Sequence, residues 1–286
     1  MFLRHDGKRI KTFENHKPMK KFSIILVTAA LMLFVSSCDK IDINHTHKPF
    51  NPSGHGKTVL IKDFTGVRCV NCPAAAETAH ELQHELGEDN VFIMSVHAGY
   101  LAQPVGLFPD FTTPEGTEWY RDNSSNPLFS VDHVALTDGH TLYVEQIDTP
   151  LSDALAEEQT FEILQGVSYN EETRQLNLEV DVVATAEVVG NFYVTACLLE
   201  DSIVGRQVVP GGVDTAYVFR NVFRRTLNGA GGDSFWEGPV YVNDEYIYNY
   251  CIELDPFYNA DQCYLMSYIY DKTDGKILQT AVKKIK

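Results

Sequence analysis

Apolar residues recur along this chain with three different rhythms. Residues 22–35 form one long, mainly apolar run, too short for a lasting membrane span. Residues 58–64 and 91–96 are shorter apolar runs, the pattern of strands buried on both faces. Between them Ala75, Ala79, Leu82 and Leu86 share one face at helical spacing, which predicts a helix over 73–86 ended by Gly87. A strand, a helix and a strand in this order predict a right-handed parallel crossover.

Residues 98–130 read as a long insertion containing Pro and Gly, with a short helix at 114–121 and short strands following at 131–136 and 141–144. Thr149-Pro150 is a helix start, a capping side chain followed by a proline whose missing N–H is harmless there. From residue 161 the rhythm becomes two-residue: Leu176, Leu178, Val180 and Val182 alternate with Asn177, Glu179 and Asp181. Strands are predicted at 161–168, 175–184, 191–199, 217–226, 246–254, 263–270 and 277–283, and such a set suggests an antiparallel sandwich. The glycine-rich segments 205–212 and 229–232 lack phosphate-loop spacing and read as loops. The expected fold class is therefore α/β plus all-β, with an α/β domain over 57–160 and an antiparallel β-sandwich domain over 161–286.

The first apolar run gains meaning from its flanks. Lys20 and Lys21 precede it and Ser36, Ser37 and Cys38 follow, the layout of a secretory signal. Met19-Lys20-Lys21 reads as the translation start. Val35-Ser36-Ser37-Cys38 resembles the lipobox of bacterial lipoproteins, which implies that residues 1–37 are removed and that lipidated Cys38 tethers the protein to a membrane. Residues 38–56 lack apolar periodicity and read as a flexible tether. Removing residues 1–37, with seven Lys/Arg and two Asp/Glu, moves the net charge from −16 to −21. Such an acidic chain disfavours nucleic acid and anionic membrane faces as partners. It leaves an unknown protein or surface ligand as the expected partner.

Five cysteines besides Cys38 remain, in a compartment that permits disulfides. Cys69-Val70-Asn71-Cys72 stands where the first strand runs into the helix. A helix N-terminus and the Arg68 charge both favour a thiolate there, and two intervening residues let a tight disulfide ring close. Residues 57–160 thereby resemble the thioredoxin superfamily. That resemblance implies a thioredoxin-like domain, with Cys69 as nucleophile, Cys72 as resolving thiol and a buried acid six positions before Cys69, where Asp63 stands. It also implies a cis-proline before a later strand, for which Pro127 is the candidate. Arg68, Val70-Asn71 and Pro73 depart from the usual residues of that superfamily. His97 ends the parallel strand and sits as either a proton acceptor or a satisfied rim histidine. The pair itself reads either as a redox couple or as a purely structural disulfide.

Three further features call for simpler readings. His80-Glu81-Leu82-Gln83-His84 matches a zinc-peptidase pattern, but both histidines fall opposite the apolar stripe, on the solvent face. Neither a metal nor a cofactor is expected. Cys251 and Cys263 flank 255–261 and would lie nearly opposite in a hairpin of that span, either as a disulfide or as two free buried thiols. Cys197 reads as a core residue.

The Val35–Cys38 motif, Phe64-Thr65-Gly66 running into Cys-x-x-Cys-Pro, and Leu199-Glu200-Asp201-Ser202-Ile203-Val204 with Gln207 are together similar to the outer-membrane-protein-28-related lipoproteins of Bacteroidetes. Residues 217–224 are similar as well, although Phe219 and Asn221 stand where histidines are expected. The resemblance implies an outer-membrane lipoprotein of binding or adhesin type. An envelope thiol-disulfide oxidoreductase is the alternative, and the two differ in whether Cys69 and Cys72 turn over.

Overall fold

The computed structural model describes residues 56–286, so the signal, Cys38 and all but the last residue of the tether lie outside the described residues. Strand β1 (Val59–Thr65), helix α1 (Cys72–Leu86) and strand β2 (Val91–His97) form a crossover in which β1 and β2 pair in parallel, from Val59 opposite Val91 to Thr65 opposite His97. Helix α2 (Pro114–Tyr120) starts under a Thr113 cap, whose hydroxyl accepts from Gly116 N at 2.9 Å. Strand β3 (Leu128–Val131) runs antiparallel to β1 and ends at Asp132, in the left-handed region at φ 46°. The strand expected at 131–136 is thus found earlier in the chain, overlapping the expectation only at Val131, and the one expected at 141–144 is a single bridge from Leu142 to Phe129. Helix α3 (Asp148–Leu155) follows.

The two-residue rhythm resolves into β4 (Phe161–Tyr169), β5 (Gln175–Ala184), β6 (Val188–Glu200), β7 (Ile203–Val209), β8 (Gly212–Phe219), β9 (Val222–Thr226), β10 (Asp233–Val240), β11 (Glu245–Glu253), β12 (Cys263–Asp271) and β13 (Ile277–Lys284). In β5 the alternation is realised directly: Leu176, Leu178, Val180 and Val182 are buried, and Asn177, Glu179 and Asp181 between them are only half-buried. They pack on Val194, Ala196 and Leu198 of β6 and Leu265 and Ile269 of β12, so the β4–β5–β11 sheet lies face to face with the main sheet.

The main sheet has the order β13-β12-β6-β9-β2-β1-β3, with β10 on the first half of β6. It therefore runs without interruption across residue 160, and residues on both sides of that point belong to one compact unit. Its inner face gathers Leu60, Phe64, Met94 and Val96 with Leu199, Phe223, Met266 and Tyr268, closed over by Trp119 and Tyr120 of α2. The sheet curls until its ends meet: Thr58 N donates to Gln279 Oε1 at 2.8 Å, and Ile277 N to Asp132 O at 2.8 Å. Lys62 is sealed inside this curl, its ammonium donating to Val134 O at 2.7 Å and lying 4.0 Å from the Trp119 ring centroid. Burial brings its pKa down to about 7.

Several expectations are corrected. The glycine-rich segment 205–212 is not a loop but contributes to the β7–β8 hairpin, turned at Gly211 with φ 88°. Residues 217–226 are not one strand, because Asn221 at φ 46° breaks the chain and redirects it from the hairpin into the main sheet. There Asn221 N donates to Asp201 Oδ1 at 3.0 Å, and its carbonyl accepts from Ser95 N at 3.0 Å. Strand β10 escaped notice because Gly238 and Pro239 interrupt its pattern, a composition tolerated at a sheet edge.

The Cys251–Cys263 disulfide is not formed. Cys251 sits on β11 opposite Asn177, whereas Cys263 begins β12 opposite Glu200 in the other sheet, as a free buried thiol. The intervening residues cross from one sheet to the other instead of turning a hairpin. Arg174 holds that crossing by donating to the carbonyls of Leu254, Asp255 and Tyr258 at 2.7–3.0 Å.

Candidate functional site

Strand β1 delivers the Cys-x-x-Cys segment to the end of the sheet, and α1 begins at its second cysteine. Cys69 and Cys72 are disulfide-bonded, with Cα atoms 5.4 Å apart. Gly66 makes the turn into the segment, where Cys69 N donates to Gly66 O at 2.9 Å and Arg68 N to Leu101 O at 3.0 Å. The Arg68 guanidinium is held by Tyr100, donating to its carbonyl and lying 4.6 Å from its ring centroid. Its charge is engaged there, where sequence reasoning had it serve a thiolate. Asn126 ties the ends of β1 and β2 by donating to Phe64 O at 2.9 Å and Ala98 O at 3.3 Å. The next peptide, Asn126–Pro127, is cis, and Leu128 after it pairs with Phe64.

Because β1 and β2 are parallel and in register, Asp63 and Thr65 share a sheet face with Ser95 and His97. All four are buried. Asp63 is 1% exposed, and its Oδ1 has no hydrogen-bond partner among the described residues. Burial pushes its pKa up to about 7. His97 is equally enclosed, with both ring nitrogens unpartnered among the described residues. Burial takes its pKa down to about 3, the Arg224 charge adding to the effect and Asp110 opposing it. Its ring meets Phe111 edge-on at 4.9 Å and Phe219 at 5.6 Å, so His97 is neither exposed nor a satisfied rim residue.

Sequence reasoning missed what lies over the pair. The β7–β8 hairpin bends across the segment, with Val208 N donating to Val67 O at 2.9 Å. The buried Gln207 amide donates to Cys69 O at 2.9 Å and to Gly66 O at 3.3 Å. Val67, Phe111, Phe219 and Val222 close an apolar cluster beneath the hairpin. Cys69, which the resemblance makes the nucleophile, is 2% exposed, as is Cys72. Gln207 belongs to the segment compared with the lipoprotein family, but its role needs contacts some 140 positions apart, as the 138-residue separation from Cys69 shows. Gln207→Ala should leave those carbonyls without their buried donor and cost about 1–3 kcal/mol, read as a lowered urea midpoint at unchanged slope.

A cavity of about 220 Å³ opens between α1 and the hairpin. Asp63, Thr65, Ser95 and His97 form its sheet side, Cys72 and Pro73 its helix side, and Tyr217 and Phe219 its hairpin side. Glu77, His80 and Arg220 also border it. Cys72 lines this space and Cys69 does not. His80 is half-buried, its Nδ1 3.1 Å from Gln83 Oε1, and His84 is exposed. The arrangement joins a disulfide, a carboxyl that titrates near neutrality and an uncharged imidazole in one desolvated space, which is the equipment for thiol-disulfide exchange with local proton transfer.

The family described as outer membrane protein Omp28 matches residues 140–286. The chain belongs to the Omp28 family. It is accordingly a protein of the cell envelope, at the outer membrane. The Omp28 match takes in the hairpin and Gln207, whereas Asp63, Cys69, Cys72 and His97 precede it. Among solved structures, HBP35 of Porphyromonas gingivalis shares the fold with a TM-score of 0.61 at 14% identity, over 80% of this chain and 76% of that one. A domain of the outer membrane lipoprotein Omp28 from Porphyromonas gingivalis aligns at 18% identity over 44% of this chain and 88% of its own, with a TM-score of 0.33. No curated protein matches the chain.

Proposed function

We propose that this Omp28-family protein is a lipid-anchored, cell-surface lipoprotein of binding type, held by Cys38, whose thioredoxin-like part serves chiefly as scaffold for the β-rich part. The observation that carries this reading is the cover over Cys69 and Cys72, since a disulfide meant for folded protein substrates must present a sulfur to them. The family match lends support, because it spans the β-rich segment and not the cysteine pair. The partner is a protein or surface ligand, and the acidic charge argues against nucleic acid.

Cys38→Ser tests the anchor: the wild-type protein should sediment with membranes and resist salt extraction, and the variant should appear in the soluble fraction. Retention of the variant on membranes would refute lipid anchoring. The scaffold role predicts that the protein does not accelerate insulin reduction by dithiothreitol. The alternative, an envelope thiol-disulfide oxidoreductase, is favoured by one feature, the Asp63 Oδ1 that has no partner among the described residues and lines the same cavity as Cys72, and it predicts catalytic acceleration in the same assay.

A further inference from the structure

The cover that keeps macromolecules from the disulfide leaves one approach open. The cavity between α1 and the hairpin reaches Cys72 but not Cys69, and is lined by two buried side chains, Asp63 and His97, with polar atoms that have no partner among the described residues. Such atoms are costly to bury unless something in the cavity meets them. The exposed Glu77 and Arg220 at its border offer one charge of each sign. A space of about 220 Å³ is below the size of most ligand pockets and suits a small molecule.

We propose that this cavity takes a low-molecular-weight thiol, and that the sulfur it attacks is Cys72 rather than Cys69. This rests on the reading that the pair is reducible in the folded protein. The small thiol gives its proton to the Asp63 carboxylate, and its sulfur forms a bond to Cys72 Sγ as the Cys69–Cys72 bond breaks. Cys69 leaves as a thiolate and takes up a proton. A second small thiol then attacks the mixed disulfide, releasing the oxidised small disulfide and the Cys72 thiol. Two thiols have supplied the two electrons that reduce the protein. The order of the cysteines is thus the reverse of the one that the sequence implied, because Gln207 and Val208 hold the main chain around Cys69 under the hairpin.

The test uses the intact protein. The oxidised protein is treated with free cysteine or, at equal thiol concentration, with a reduced thioredoxin-type protein, and disulfide loss is followed by mass. Reduced protein is separately alkylated with limiting iodoacetamide or a bulky maleimide-polyethylene glycol, and each site is mapped by peptide mass spectrometry. Expected are faster reduction by cysteine than by the protein dithiol, and labelling of Cys72 by iodoacetamide at least about tenfold faster than Cys69, with the bulky reagent slow at both. A Cys69→Ser variant should form a mixed disulfide with cystine at Cys72. Cys69 labelled first, or a bulky reagent as fast as the small one, overturns the proposal while leaving the pair redox-active. A disulfide that resists every thiol until the protein unfolds refutes the redox reading itself and the proposal with it.

Discussion

Asp63→Asn is expected to raise stability at pH 8 by about 4 kcal/mol and to leave it unchanged near pH 3. The carboxyl is buried, and its pKa is raised from 3.8 to about 7 by desolvation alone. Between those values the folded state keeps a proton that the unfolded state has lost, so its contribution is fully present below about 4 and is lost as pH rises through 7. About three pKa units correspond to roughly 4 kcal/mol. Asparagine is uncharged at every pH and escapes that cost. Thermal unfolding of the two proteins across pH 3–8 checks this, with a difference of about 10 °C expected at the alkaline end. His97 works in the opposite sense, its lowered pKa costing stability as pH falls from 6.5 towards 3, but it is present in both proteins and cancels in the difference. A constant difference across pH would mean that Asp63 titrates alike in the folded and unfolded states.

Gly66→Ala is expected to destabilise the protein by about 3 kcal/mol or more. A Cβ at this position would lie 2.6 Å from the Leu101 carbonyl carbon and 2.7 Å from Ala102 N. These are backbone atoms that no rotamer change moves aside. The turn carrying them must shift, and with it Leu101 O, which accepts from Arg68 N. Gly212→Ala, on the exposed strand β8 with nothing within 4 Å of the added carbon, is the matched control and should change stability by less than about 0.5 kcal/mol. Chemical denaturation of both variants separates a local steric demand at Gly66 from a general effect of replacing glycine.

Local pattern carried much of this fold. The β5 alternation, the Ala75–Ala79 stripe and the strand leading to Cys69 need only neighbouring residues to be read, and each occurs where its periodicity puts it. The same stripe overreached at Leu86, which is 38% exposed where the helix runs past its neighbours. Asp63 and His97 could be placed on one face because parallel strands keep register. The hairpin could not, since Gly205, Pro210, Gly211 and Gly212 have the composition of a loop and only the tertiary contacts of Gln207 and Val208 make strands of them. Nor could the fate of Cys251 and Cys263 be read, because their separation in sequence says nothing about which sheet each strand joins.

The insertion of β9 between β6 and β2 governs the order in which this chain can acquire its structure. Strand β2 is complete by His97, yet its outer edge is met by Val222, more than a hundred residues later. The opposite closure, of Lys276 against His133, waits longer still. A chain in which β1 and β2 form before β9 thus carries an unpaired, apolar strand edge, the condition under which strands pair with the wrong neighbour. Pairing of that edge needs contacts between residues far apart in the chain, so folding is expected to be slow for the chain's length and to complete only once β9 is available.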